Sequence, residues 1–215
     1  MQIFPPSANT LSRLSLYGGI LAVIGVFGLA WVLQRSSYAT QVGVAREQAV
    51  PFSHAHHAGG LGIDCRYCHV SVETAAFAGI PSVNTCMTCH SQIHADAPML
   101  APLRESWSSG KPLTWLRLND LPDFVYFDHA IHVHKGVGCA TCHGRVDEMP
   151  LTWRQRPFYM HECLDCHRHP EGNLQPRETV FDLGWKPPAD LRTLGRGLVK
   201  EYDVQSLVDC YTCHR

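Results

Sequence analysis

Residues 14–33, LSLYGGILAVIGVFGLAWVL, form a run of 20 positions without a charge, flanked by Arg13 and Arg35. A helix of that length spans about 30 Å, the thickness of a bilayer's hydrocarbon core, so the run predicts one transmembrane helix. Ser37-Tyr38-Ala39 is a small-x-small triplet of the kind that ends a cleaved secretory signal. The apolar run exceeds the roughly 7–15 residues of a signal's core, and an uncleaved anchor is expected. Beyond it no long periodicity survives. The chain's 14 Pro and 17 Gly interrupt every apolar stretch, and no run alternates like a strand. A mostly α and irregular fold follows, with short helices between loops.

Composition changes this picture through cysteine. The ten cysteines fall into five pairs, Cys65/Cys68, Cys86/Cys89, Cys139/Cys142, Cys163/Cys166 and Cys210/Cys213, and each pair is followed at once by His69, His90, His143, His167 or His214. Cys-x-x-Cys-His is the attachment pattern of c-type haem. Two thiols form thioethers to the porphyrin edge, and the adjacent His sets a ring nitrogen on the iron. A redox dithiol or half a zinc site explains one such motif, but gives no reason for a His after every second Cys. Five covalently bound haems are expected, in a multihaem cytochrome c resembling class III/c7-like modules behind a single N-terminal transmembrane helix. The haems would supply most of the apolar core.

Nine further histidines remain among the 14, and a repeat organises several of them. Residues 52–57 read FSHAHH and precede CRYCH and CMTCH; residues 127–132 read FDHAIH and precede CATCH and CLDCH. Each copy is Phe-x-His-x-x-His followed by two haem motifs, a duplicated two-haem module. Histidines at i and i+3 share one side of a helix. They are too close to face one iron from both sides, but they can serve two neighbouring haems. His54 and His129 are assigned to the haem that follows in sequence, and His57 and His132 to another. The fifth distal position is open among His56, His94, His134, His161, His169, Met149 and Met160. A Met149 or Met160 thioether would raise the potential of that haem. The expected organisation is a cytoplasmic N-terminus (1–13), the anchor (14–33), a linker (34–51), a first module (52–90), a Pro-broken spacer (91–126), a second module (127–167) and an extended C-terminal arm with the fifth haem (168–215).

The formal charge of -1 carries no basic cluster, so no nucleic-acid partner is expected. Flanking charges do not orient the anchor, since arginines lie on both sides. Covalent haem attachment takes place outside the cytoplasmic membrane, which puts the N-terminus inside and the haem domain on the periplasmic side. Gly18, Ala22 and Gly25 lie near one face of the anchor, where small residues let a partner helix approach.

The segments FSHAHHAGGLGIDCRYCH, GIPSVNTCMTCH, LPDFVYFDHAIHVHKGVGCATCHGRVDEMP and CLDCHRHPE, with the single anchor, resemble the pentahaem cytochrome subunit of bacterial alternative complex III along nearly the whole chain. The resemblance implies a quinol:electron-acceptor oxidoreductase of the membrane in which this chain is an electron-transfer subunit, not catalytic alone. It also implies integral-membrane quinol-oxidising subunits, an iron–sulfur subunit and a monohaem cytochrome subunit as partners, with electrons leaving to a periplasmic acceptor. Most haems would be bis-His, with methionine on one. The alternative is a single-helix multihaem quinol dehydrogenase feeding a periplasmic reductase. In such proteins the first haem motif follows the helix closely, whereas here residues 34–64 intervene before Cys65.

Overall fold

The computed structural model describes residues 4–214, and its elements fall into two units that divide after Val42. The first is helix α1 (Ser7–Arg35) with a single turn, α2 (Ser37–Thr40), after it. α1 has 29 residues, about 43 Å at 1.5 Å per residue, and buries none of them. It is long and apolar enough to cross a membrane. It begins at Ser7 rather than at residue 14, so the expected N-terminal segment 1–13 is largely helical where described, and residues 1–3 lie outside the described chain. Two of its polar side chains are engaged within the helix. Ser15 Oγ donates to the Leu11 carbonyl at 2.9 Å, and the Arg35 guanidinium lies 3.2 Å from the centre of the Trp31 ring.

The second unit, residues 43–214, is built from short helices: α3 (Cys65–Cys68), α4 (Val83–His90), α5 (Ala101–Ser109), α6 (His129–His134), α7 (Cys139–His143), α8 (Met160–Arg168), α9 (Leu191–Glu201) and α10 (Cys210–Cys213). Two isolated bridges, Ala45 with Trp153 and Val137 with Leu174, are the β pairings among the described residues. Each Cys-x-x-Cys-His motif lies on a helix of one to three turns, and carboxylates cap several of the unit's helices. Asp64 accepts from Arg66 N, Asp128 from Ala130 N and Ile131 N, Asp190 from Thr193 N, and Glu162 from Tyr159 N. Such caps satisfy amides that a helix's first turn leaves unpaired.

The two Phe-x-His-x-x-His copies differ in backbone. His129 and His132 lie on α6, but His54 precedes a π-turn (Ala55–Gly60) that carries His57. The second copy continues with Val133, His134 and Lys135 where the first has Ala58, Gly59 and Gly60. Two consecutive glycines weaken an α-helix. A Cβ on Gly59 would also clash with the Asp147 carbonyl, so close packing of the 146–148 turn requires glycine there.

Three small apolar clusters hold the unit. Val50, Met87, Leu100 and Leu103 join α4 to α5; Val72, Val133 and Val180 join α6 to two loops; Leu174, Leu198 and Tyr202 dock α9. Residues 168–209 were expected as an extended arm. Instead they fold back, with Lys135 Nζ on the Tyr202 and Asp203 carbonyls (2.6 and 2.9 Å) and α9 packed on the Pro170–Gly172 turn. The reason is the spacing of Leu194, Leu198 and Tyr202, which gives α9 an apolar stripe. Gly195 faces that contact, where a Cβ would clash with the Glu171 carbonyl, while Gly197 meets nothing. Gly195→Ala should therefore lower stability by about 1–3 kcal/mol, and Gly197→Ala should raise it by up to about 1 kcal/mol. Thermal unfolding followed by circular dichroism would show shifts of opposite sign.

Candidate haem centres

The two repeat copies build the same side-chain arrangement from different backbones. Phe52 stacks on His57 (centroids 4.5 Å apart, planes at 21°) and sets its edge against His54 (4.8 Å, 85°). Phe127 does the same to His132 (4.4 Å, 28°) and His129 (4.8 Å, 89°). One phenyl ring thus fixes two imidazoles roughly at right angles to each other. The outer nitrogens are fixed as well. Nδ1 of His57 lies 2.9 Å from the Ser53 carbonyl, that of His129 2.8 Å from the Ala76 carbonyl, and that of His132 2.6 Å from the Asp128 carbonyl; His54 Nδ1 lies 2.8 Å from Thr152 Oγ1.

The motif histidines follow the same rule. Nδ1 meets the carbonyl of Gly79 for His69 (2.7 Å), Ile93 for His90 (2.9 Å), Leu207 for His167 (2.8 Å) and Phe124 for His214 (3.1 Å); His143 Nδ1 instead lies 3.2 Å from the Asn119 amide nitrogen Nδ2. A neutral imidazole with its Nδ1 proton held by an acceptor offers Nε2 to a metal, the usual arrangement of ligating His. Burial, then the nearness of His69, His57 and His143, holds the His54 imidazole down to about 4. Burial, then His129 and His69, holds His143 to about 4. Both rings are neutral near pH 7, as ligation requires.

Distal-type and motif histidines face each other in pairs. Ring centroids lie 6.3 Å apart for His129 and His143, with planes at 9°, 6.1 Å for His57 and His90, and 6.1 Å for His132 and His167. An ion bonded at about 2 Å to each Nε2 separates two imidazole centres by roughly 6 Å, so these pairs fit an iron between them. His69 is the first charge neighbour of His54, the corresponding pair of the first copy. Among the described residues no three His, Cys, Asp or Glu side chains converge on one point. The donors come in opposed twos, which suits a porphyrin's two axial positions and not a tetrahedral zinc site.

The ten thiols form no disulfides, and their neighbours give the motifs a spatial order. Tyr67 of the first motif hydrogen-bonds Thr88 of the second (2.8 Å), and Cys86 lies near Cys68. Cys65 of the first and Cys139 of the third hang on adjacent carbonyls: Cys65 Sγ lies 4.0 Å from the Phe181 oxygen, and Cys139 N donates to Val180 at 3.1 Å. Burial first, and Cys65 next, push the Cys139 thiol up to about 12. Cys142 of the third motif neighbours Cys166 and Cys163 of the fourth. Cys163 neighbours Cys213 of the fifth, while Ser206 Oγ bonds the His167 carbonyl at 2.8 Å. The order in space is second, first, third, fourth, fifth.

The thiols are not equally enclosed by protein. Cys89 of the second motif, Cys163 of the fourth and Cys210 of the fifth are exposed, while the other seven are partly buried. For Cys89 the reason is the turn of α4. Its buried residue is Met87, which packs with Leu100 and Leu103, and a side chain two positions further on points to the opposite side of a helix. Cys89 Sγ has the Thr88 hydroxyl at 3.9 Å, on the outer side of α4.

The remaining candidates separate by surroundings. Met149 is enclosed by protein, 1% exposed, with its carbonyl accepting from Ala55 N. Met160 is 60% exposed and sits three residues before Cys163, one helical turn along the same side of α8. His134 Nε2 is engaged with the Glu73 carbonyl (2.9 Å), His161 stacks on Tyr159, His169 lies 3.9 Å from Glu171, and His56 and His94 are exposed. Sequence reasoning gave Thr152 and Asn119 no role, since both are remote in the chain from the rings they touch. It also gave the repeated Phe no task, although the Phe was the visible signal. Phe52→Leu and Phe127→Leu should each cost about 1–2 kcal/mol through two lost ring contacts, with matching losses in thermal unfolding if the copies work alike.

Residues 125–215 match the family model of cytochrome c7 and related cytochrome c, and residues 32–107 match the class III cytochrome C family. The chain is also 37% identical over 124 residues to the multihaem cytochrome c subunit of menaquinone reductase of Nitratidesulfovibrio vulgaris strain Hildenborough, covering 57% of this chain and 55% of that one. It therefore spans about half the length of this relative.

Proposed function

We propose that the chain is a multihaem cytochrome c, in keeping with its matches to cytochrome c7 over residues 125–215 and to class III cytochrome C over residues 32–107, and that it carries five haems as the membrane-anchored electron-transfer subunit of a quinone-linked complex. The observation that carries this reading is the set of opposed histidines at about 6 Å with every outer nitrogen held. In it His69, His90, His143, His167 and His214 are the proximal ligands, and the five Cys pairs hold the thioethers. His54 faces His69, His57 faces His90, His129 faces His143 and His132 faces His167. Met160 completes the fifth site, because the enclosed Met149 side chain cannot reach an iron without unpacking its core. Bound haem supplies one-electron chemistry at iron. The chain's own part is to fix the axial nitrogens, exclude water from the buried rings and set the sites in one row whose ends are the second and fifth motifs.

The finer reading is the pentahaem subunit of alternative complex III. It has α1 in the cytoplasmic membrane, the haem domain on the periplasmic side, and integral-membrane quinol-oxidising, iron–sulfur and monohaem cytochrome partners. Residues 34–64 hold the first motif away from the anchor in sequence, which favours quinol chemistry in partner subunits over quinol oxidation by this chain. A second reading is favoured by the Nitratidesulfovibrio relative, a menaquinone reductase subunit: the same row of sites run toward quinone.

His54→Ala, His57→Ala, His129→Ala and His132→Ala should each convert one haem to high spin in electron paramagnetic resonance. Four low-spin spectra would end the ligand assignment. Met160→Ala should remove the highest-potential component from a redox titration, whereas Met149→Ala should leave it in place. Purification in mild detergent, with partners identified by mass spectrometry, tests the complex. Quinol-driven reduction of a soluble acceptor supports the first direction, acceptor-driven reduction of quinone the second, and isolation of an active chain without partners opposes both.

A further inference from the structure

Of the nine histidines whose Nδ1 is held, His54 and His143 alone lean on side chains, Thr152 and Asn119. The other seven rest on backbone carbonyls. The two exceptions sit at the first and third motifs, the adjacent pair at which the two repeat copies meet, and a hydrogen bond in a partly desolvated site acts strongly on a ligand.

These two contacts are held by one piece of chain. Thr152 precedes Trp153, which bridges Ala45, and the Arg154 carbonyl accepts from Gly43 N at 2.9 Å. The Arg154 guanidinium then grips both sides of Asn119: Nε donates to the Leu118 carbonyl at 2.8 Å and Nη2 to the Asp120 carbonyl at 3.0 Å. Asn119 meets His143 Nδ1 through its amide nitrogen Nδ2, a donor; a ligating His143 carries its proton on Nδ1, so the amide must turn over to present its oxygen, a half-turn that leaves its position unchanged.

We infer that residues 152–154 form a strap that tunes the two central sites together, Thr152 through His54 and Arg154 through Asn119 and His143. This rests on the ligand assignment above. Thr152, Asn119 and Arg154 are positioning residues. A carbonyl draws the Nδ1 proton strongly, makes the imidazole a better electron donor and favours ferric iron. A hydroxyl draws it less, and can be removed or strengthened by substitution where a backbone carbonyl cannot.

The test is a redox titration of the detergent-purified chain or its complex, with haem count and spin state as controls. Thr152→Val should raise one midpoint potential with all haems still low spin, and Thr152→Ser should restore it. Asn119→Asp, a stronger acceptor, should lower a second component. Arg154→Leu should move that same component upward, with little further change when combined with Asn119→Leu. Unmoved potentials in a fully loaded low-spin protein, or equal shifts for Thr152→Val and Thr152→Ser, would overturn the strap alone. Absence of haem from the first or third motif in the wild-type chain, seen by mass spectrometry, would overturn the ligand reading instead. If Thr152→Val fails to load haem, the Thr152→Ser and Asn119→Asp titrations still decide.

Discussion

An imidazole can bind a metal only through a nitrogen free of its proton, and nine histidines of this domain have the other nitrogen, Nδ1, engaged by a neighbour. The acceptors are mostly carbonyls of the connecting loops, at Gly79, Ile93, Phe124 and Leu207 for the motif rings. Loops of this kind have carbonyls to spare because they are neither helix nor strand. The sparse secondary structure is therefore part of how the site is made. A sheet would have consumed those oxygens in its ladder.

The same condition explains why the repeated Phe matters. Each ring packs against two imidazoles at once, flat on one and edgewise on the other. It does so whether the backbone beneath is α-helix or π-turn. Side-chain geometry is common to both copies while the backbone differs. The constraint acts on the rings, and the chain accommodates it with whatever local sequence it has, two glycines in one copy and Val-His-Lys in the other.

Legibility in the sequence divides along covalent distance. The anchor, the five motifs and the Phe-x-His-x-x-His copies are patterns of consecutive residues, and each was readable because its chemistry needs fixed short spacing. Partnerships across the fold were not. Thr152 lies 98 positions from His54 and Asn119 lies 24 from His143, and neither belongs to a pattern. The uneven enclosure of the thiols was hidden for the same reason, since Cys89 and Cys86 share one motif and differ only in which side of α4 meets the Leu100 cluster. The packed course of residues 168–209 was missed for a related reason. The Leu194, Leu198 and Tyr202 stripe was visible, but the surface that receives it, at Leu174 and the Pro170–Gly172 turn, exists only after folding.

The order of the motifs in space follows from duplication. A two-site module has two ends, and in each copy the adjacent histidines of one turn tie the first motif to the second. Two such modules can meet through like or unlike ends. Here the first motif meets the third, so the first motifs of the two copies lie together and the second motif is left outermost. The fourth motif would be the other end, but the folded-back C-terminal segment adds the fifth beside it, with His167 resting on Leu207 and Cys163 near Cys213. Chain order and spatial order therefore diverge at one place, the start. The duplicated pair is symmetric in its histidines, and what breaks the symmetry is local: a fifth motif at one end and two side-chain partners at the first and third motifs. A row of similar sites gains a direction only from such differences, since axial ligands and their hydrogen bonds are the levers a protein has over each iron.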